Sequence, residues 1–333
     1  MALDLLKRVS RTFSLSLGVL PRSLRTPIGL AYLFARAADT IADTRLIARD
    51  ERLATLQALC AAIARPGSSV DLTLLWAAQE DAAERLLLER LPECFALLDS
   101  LEPADARRVR AVLDTITEGM IFDLTRFPGE DARRLEALET LDDLDRYTYL
   151  VAGCVGEFWT EMHIAHRRRL ASWDQPLMKA RGVRFGKALQ MTNVMRDLPR
   201  DLRHGRCYLP RRELQSLGLE PADLLEAGAA ARARPLLERL LRLTLEHYEV
   251  AWEYTLAIPL AEVRMRLACA WPLLIGLGTL ELLASSPDML DPAGRIKLSR
   301  AAVRGTMARS ALTVWSNRAL AADAARRRRR IAV

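Results

Sequence analysis

Apolar residues recur along the chain at three- and four-residue spacing, as at Leu53, Leu56, Leu59 and Ile63, and no long alternating β-branched run interrupts them. This pattern predicts helix almost throughout and therefore an all-α fold. Proline and glycine place the expected breaks at residues 21–27, 65–69, 102–103, 127–129, 174–176, 204–210, 218–221 and 285–292. None reads as an interdomain linker, and no repeat of fixed period is present. The expectation is one all-α domain over residues 1–320, followed by a basic tail at 321–333. The most apolar run, Leu267 to Leu280, contains Pro272, Gly276 and Gly278 and stops at Glu281. It falls short of the roughly 20 apolar residues that span a bilayer, so it reads as a buried core helix. The first residues lack the apolar stretch of a signal peptide. Neither a signal peptide nor a transmembrane helix is expected.

Two polar stripes break the apolar pattern. Tyr32, Arg36, Asp39 and Asp43 follow i, i+4, i+7, i+11 inside an otherwise apolar segment. On a helix, Asp39 and Asp43 share a face about 6 Å apart along the axis. Far along the chain, Gln190, Asn193, Asp197 and Asp201 follow i, i+3, i+7, i+11. Pro199 lies within this second stripe and predicts a kink or helix end before Asp201. The same acid spacing at Glu80/Glu84 and Glu89/Glu93 lies in polar surroundings and reads as solvated surface. Four clustered carboxylates repel, and buried unpaired charge is costly, so both pairs need cations to coexist. Mg²⁺ suits them, because it binds one or two carboxylates together with phosphate oxygens and waters. An allylic diphosphate is the matching substrate, since loss of its leaving group forms a cation that an apolar, water-excluding cavity protects.

Charge and composition narrow the setting. The chain of 333 residues carries a net charge of +7, with 49 bases against 42 acids, and 50% of its residues are hydrophobic. This is a mildly basic mixed surface over a chain able to bury a sizeable core. Arginines without an aromatic platform do not make a nucleic-acid site, and no nucleic-acid partner is expected. The five cysteines are scattered without CxxC spacing, which fits a reducing cytoplasm. Arg326 to Arg330 read as a frayed solvated terminus, with peripheral docking to the inner face of an anionic membrane as the second reading. The sequence does not set the oligomeric state.

These motifs resemble the squalene and phytoene synthases, which join two prenyl diphosphates head to head, with squalene synthases the nearer match. Residues 32–43 resemble the first aspartate-rich motif of that family. Residues 190–201, followed by Gly205-Arg206 and Tyr208-Leu-Pro, resemble the second. Ser10-Arg-Thr-Phe13 is similar to its flap segment, and Tyr147 to Gly156 resemble its Y-C-x-x-V-A-G-x-V-G motif.

The resemblance implies a single-domain isoprenoid-synthase-type helical bundle around a central hydrophobic tunnel, with the two acidic faces turned toward each other. It implies that Asp39, Asp43, Asp197 and Asp201 hold Mg²⁺ and act in catalysis with Tyr147 or Tyr149. The implied substrate contacts are Ser10, Arg11, Phe13, Tyr32, Arg36, Gly153, Gly156, Gln190, Asn193 and Arg196. The substrate is two molecules of farnesyl diphosphate, and the reductant NADPH, held by Asn193, Lys297 and Arg300. The alternative within the family stops without hydride, giving dehydrosqualene, phytoene or hydroxysqualene. The sequence departs from the squalene-synthase pattern at Leu150, where a tyrosine is common, and at Ser299, where a base is expected. Gly153 and Gly156 share a face that admits a substrate tail or another helix. His163 and His166, beside Arg167 to Arg169, read as a solvated helix end, and Trp271 is placed near the tunnel.

Overall fold

The computed structural model describes residues 5, 6, 8, 17–286, 288–291 and 296–331. Ser10, Arg11 and Phe13 lie outside these residues. The chain divides into two compact units, one of residues 1–124 and 157–175, the other of residues 125–156 and 176–333.

The first unit is built on α1 (Arg22–Asp43), with α2 (Arg49–Ala64), α3 (Thr73–Ala78), α4 (Ala82–Glu89), α5 (Leu91–Asp99) and nearly all of α6 (Pro103–Arg126). Along α1, Leu24, Ile28, Ala31, Phe34, Ala37 and Ile41 are buried at three- and four-residue steps, the face that burial requires. Phe34 meets Phe95 of α5 edge to face at 4.9 Å. Fully burying a side chain such as Leu33 contributes about 1.5–3 kcal/mol. The α1 end is secured by Arg52, which is buried and donates to the Ala42 carbonyl at 3.1 Å.

The second unit contains α7 (Leu141–Thr148), α9 (Gln175–Arg203), α10 (Arg211–Gln215), α11 (Ala229–Ala257), α12 (Val263–Ala284), α13 (Arg300–Thr313) and α14 (Asn317–Arg328). The chain crosses between units within α6 and within α8 (Cys154–His166). Two short parallel strands, β1 (Glu136–Ala137) and β2 (Arg206–Cys207), pair Glu136 with Arg206 and Ala137 with Cys207. They tie the chain before α7 to the chain after α9. Gly205 makes the turn into β2 at φ +79°, and a side chain there would strike the carbonyl of Asp131.

Three features differ from the sequence expectation. Helix α9 runs unbroken through Pro199 to Arg203, so Asp201 stays on the helix instead of following its end. Helix α12, at 22 residues, is longer than the apolar run that marks it, while 67% of its most apolar stretch is buried, as expected of a core helix. The arginine tail is helical to Arg328 and paired: Arg328 with Glu249, Arg326 with Asp323 at 3.1 Å, Arg330 with Glu281 at 3.3 Å. Asp323 lies within the tail itself, whereas Glu249 and Glu281 come from residues that its local pattern does not reveal.

Candidate active site

In the first unit, Asp39, Thr40 and Asp43 of α1 border a pocket of about 300 Å³ with Arg36, Arg45, Gln79, Glu80 and Glu84. Arg36 donates to Asp39 one turn ahead and to Glu84 at 2.5 Å. Glu84 is delivered by the start of α4, where the Asp81 carboxylate accepts from the backbone N–H groups of Ala83 and Glu84 at 2.9 and 3.0 Å. The Asp39 carboxyl is pushed up to about 6 by burial and then by the charge of Asp43, against the pull of Arg36. Its side chain keeps 43% of its surface at the pocket mouth, which leaves it reachable by a ligand. Asp43 is exposed at the end of the helix. Tyr32 is half-buried two turns before Asp39, close enough to Arg36 to act on its charge.

The second unit repeats this electrostatic arrangement on α9. Arg196 grips the adjacent Asp197 with two hydrogen bonds of 2.9 and 2.6 Å, and Arg200 reaches Asp201 at 3.4 Å. Asp201, 14% exposed, is pushed up to about 6 chiefly by burial and further by Asp197, with Arg200 opposing. One turn earlier on the same face, Asn193 donates to the side-chain oxygen of Gln190 at 3.3 Å, and Gln190 donates to the Tyr147 hydroxyl at 3.4 Å.

Tyr147 is fixed from below by a capping box. Thr140 accepts from the Asp143 N–H at 3.2 Å, and Asp143 accepts from the Thr140 N–H at 2.9 Å. Its ring stacks on Tyr208, just after β2, at 4.7 Å. Tyr149 opens a single π-helical turn, Tyr149–Gly153, a distortion frequent at functional sites. The turn leaves Tyr149 half-buried while Leu150 is buried.

Of the two readings for Gly153 and Gly156, the neighbour in the structure is a helix. A Cβ on Gly156 would lie 1.8 Å from the Gly182 carbonyl oxygen, and one on Gly186 would lie 2.1 Å from that of Ala152. A Cβ on Gly153 would press on Tyr149 and Val183 at 3.1 and 3.2 Å. Backbone-to-backbone packing against α9 occupies the space. Lys187, on the next turn of α9, is buried and donates to Asp145 at 2.6 Å.

Each acid pair, taken within its own unit, offers ligands of the kind a magnesium ion prefers. Their donors are hard oxygens, and the upward-shifted Asp39 and Asp201 carboxyls mark positions where negative charge is unfavourable without a cation. Among the described residues no three His, Cys, Asp or Glu side chains converge, so phosphate and water oxygens would complete the coordination. Lys297 and Arg300 are exposed, either side of Ser299, whose hydroxyl caps α13 by accepting from the Ala302 N–H at 3.1 Å. Two cations there suit a phosphate-bearing cofactor.

Several residues sit elsewhere than the sequence suggests. Glu84 is a pocket wall rather than solvated surface, and nothing local to it signals Arg36, 48 positions away. His163 and His166 are not a solvated end. His163 is fully buried, donates to the Trp159 carbonyl at 2.8 Å, and is pushed down to about 4 by burial. His166 donates to Asp105 at 2.8 Å, a partner 61 residues distant. Trp271 is buried against α13 and donates to the Ser310 hydroxyl at 2.9 Å.

Solved structures of squalene and dehydrosqualene synthases share this all-helical isoprenoid-synthase fold. A complex of TcSQS with the ligand BPH1237 aligns with 99% of this chain and 90% of its own, at a TM-score of 0.78 and 22% identity. Residues 6–302 match the squalene/phytoene synthase family, and the chain belongs to it. Members of this family are prenyltransferase-type enzymes that act on prenyl diphosphates. The bifunctional lycopene cyclase/phytoene synthase of Gibberella fujikuroi is 30% identical over 254 residues, 75% of this chain and 42% of that protein. The squalene synthase of Eremothecium gossypii is 26% identical over 302 residues, 88% of this chain and 64% of that protein. The chain thus spans under half of the first relative's length and under two thirds of the second's.

Proposed function

We propose that this protein is a squalene synthase that joins two molecules of farnesyl diphosphate. The observation that carries the reading is the two carboxylates, Asp39 and Asp201, each raised to about 6 by burial beside a second aspartate and an arginine on its own helix. Magnesium held by Asp39, Asp43, Asp197 and Asp201 would neutralise the departing diphosphate as a Lewis acid. Arg36 and Arg196 bind the phosphate oxygens, exchanging carboxylate partners for substrate.

Breaking the C–O bond of one farnesyl diphosphate leaves an allylic cation. The double bond of the second molecule attacks it, and loss of a proton closes the cyclopropane of presqualene diphosphate. Tyr149, half-buried on the π-helical turn, assists that proton loss. A second ionisation and rearrangement give the cation that hydride from NADPH reduces to squalene. Lys297 and Arg300 would hold a phosphate of that cofactor, with Asn193 nearer the chemistry.

A second reading, condensation without reduction, is supported by the 30% identity to a phytoene synthase region and by Leu150 and Ser299. Purified protein incubated with farnesyl diphosphate and Mg²⁺, with and without NADPH, separates the two when products are identified by mass spectrometry. Squalene formed only with NADPH supports the first reading. The same hydrocarbon in both tubes overturns it in favour of the second.

A further inference from the structure

The basic excess of the chain sits at one end. From Arg300 onward there are nine arginines and a single acid, Asp323, a surplus of eight against +7 for the whole chain. Everything before Arg300 therefore carries a net charge of about −1. Pairing does not consume this surplus. Arg300, Arg304, Arg318 and Arg329 are exposed and carry no ion pair among the described residues. Arg309 reaches Asp323 only at 3.6 Å with half of its side chain in solvent.

An open apolar stripe runs through this charge. Ala301, Gly305, Ala308 and Leu312 recur along α13 at helical spacing and are all exposed, and Trp315 follows at the corner into α14. Leu312 is 82% and Trp315 62% exposed. A Cβ on Gly305 would meet nothing within 4 Å, so no neighbour covers the stripe midway.

The opposite side of α13 is anchored. Thr306 accepts from Arg327 at 2.8 Å, and Ser310 accepts from Trp271. The corner itself is held by Arg266, which is 0% exposed and donates to the Val314 carbonyl at 2.9 Å and to Asn317 at 2.6 Å. Leu312 and Trp315 are thus presented on a braced corner. A lone exposed leucine is ordinary. A leucine on the helix face and a tryptophan at the corner that follows it, bordered by arginines and almost without acids, make the composition of a segment that lies in a membrane interface.

We infer that the α13–α14 corner docks on an anionic phospholipid bilayer, with Leu312 and Trp315 entering the headgroup layer. Arg304, Arg309 and Arg318 meet lipid phosphates while their aliphatic stems lie along the apolar stripe. The inference rests on this corner and not on the reaction assigned to the acid pairs.

Sedimentation of the full chain with phosphatidylcholine vesicles, with and without phosphatidylglycerol, tests it. The unsubstituted protein should bind only the anionic vesicles, and less as salt is raised. The pair Leu312→Ser, Trp315→Ser should weaken binding about tenfold, the scale of removing apolar area from the interface. Arg304→Gln and Arg318→Gln should each weaken it about fivefold. Circular dichroism melts and turnover with detergent-dispersed substrate should stay unchanged. Equal binding to both vesicle types, or full binding by the Leu312/Trp315 variant, overturns the inference. So does a dimer, seen by sedimentation equilibrium, that this variant splits, because a second copy would then be the occupant.

Discussion

The guanidinium of Arg36 donates to the carboxylate of Glu84 at 2.5 Å, linking α1 to the first turn of α4 and placing a third acid on the pocket that holds Asp39 and Asp43. Glu84 competes for the cation proposed to bind phosphate, and its charge helps raise the Asp39 carboxyl. Glu84→Gln should therefore leave kcat at neutral pH within about threefold and move the acidic limb of the pH–rate profile downward. Arg36→Gln should cost about 10- to 100-fold in kcat/KM, the scale of losing a hydrogen bond to a charged group. Steady-state kinetics across pH 5 to 8 check both, and a Glu84→Gln loss as large as that of Arg36→Gln would contradict the competition.

The raised carboxyls link metal, pH and stability. Asp39 and Asp201 titrate near 6 in the folded chain, above the ordinary range near 4, so the folded state binds more protons between those values. Their ionisation costs stability as pH rises through that window, and the cost is fully present above about pH 6. His163 and His247 act oppositely. Both are pushed down to about 4 by burial, so protonation of the unfolded chain removes stability as pH falls from 6.5 toward 4. The carboxyl contribution is isolated by comparing Asp39→Asn, Asp201→Asn with the unsubstituted chain. Without metal, the variant should melt higher at pH 7, by about 2–4 °C for each kcal/mol relieved, and the gap should close by pH 4. Added Mg²⁺ should raise the melting temperature of the unsubstituted protein at pH 7 and leave the variant unmoved. An unsubstituted melting curve indifferent to Mg²⁺ would remove the support for a metal here.

How far the sequence disclosed this arrangement depends on the range of the interaction. The stripes Tyr32–Arg36–Asp39–Asp43 and Gln190–Asn193–Asp197–Asp201 were legible because 3.6-residue periodicity is a local property, and α9 keeps that period through Pro199. Glu84, His163 and His166 were misjudged because their surroundings come from elsewhere in the chain. Asp105 reaches His166 across 61 positions, while the Arg167–Arg169 run beside it pointed to solvent. The chain passes between the two compact units inside α6, inside α8 and at the first residue of α9, so two of the three crossings fall within helices, where no linker composition marks them. The exposure of Leu312 and Trp315 is equally illegible in the sequence, since neither periodicity nor composition tells which face of α13 lacks a neighbour.

The glycines of α8 and α13 give a contrast in stability. Gly156→Ala places a methyl 1.8 Å from the Gly182 carbonyl oxygen, a backbone atom that cannot rotate aside, so the helices must separate. The loss should reach or exceed the 1–3 kcal/mol typical of overpacking. Gly305→Ala, with nothing within 4 Å on an exposed helix face, should instead stabilise by about 0.5–1 kcal/mol. Urea unfolding of the two variants checks the sign of each, and a Gly156→Ala protein as stable as the parent would mean that α8 and α9 are not in backbone contact.

Tyr147 and Tyr149 separate packing from chemistry. Tyr147 is 7% exposed, its ring is stacked on Tyr208, and its hydroxyl receives a long 3.4 Å hydrogen bond from Gln190. Tyr147→Phe keeps the stacked ring and should cost at most about 1 kcal/mol of stability, with turnover little changed. Tyr149 sits on the π-turn with surface still open. If its hydroxyl takes part in proton loss, Tyr149→Phe should lower kcat by about 100-fold or more with KM nearly constant, the range of general acid–base contributions. Presqualene diphosphate should then form more slowly from farnesyl diphosphate, whereas presqualene diphosphate supplied directly should be consumed at the parent rate. Loss of both half-reactions alike would mean that Tyr149 supports the π-turn, and that the proton leaves by another group.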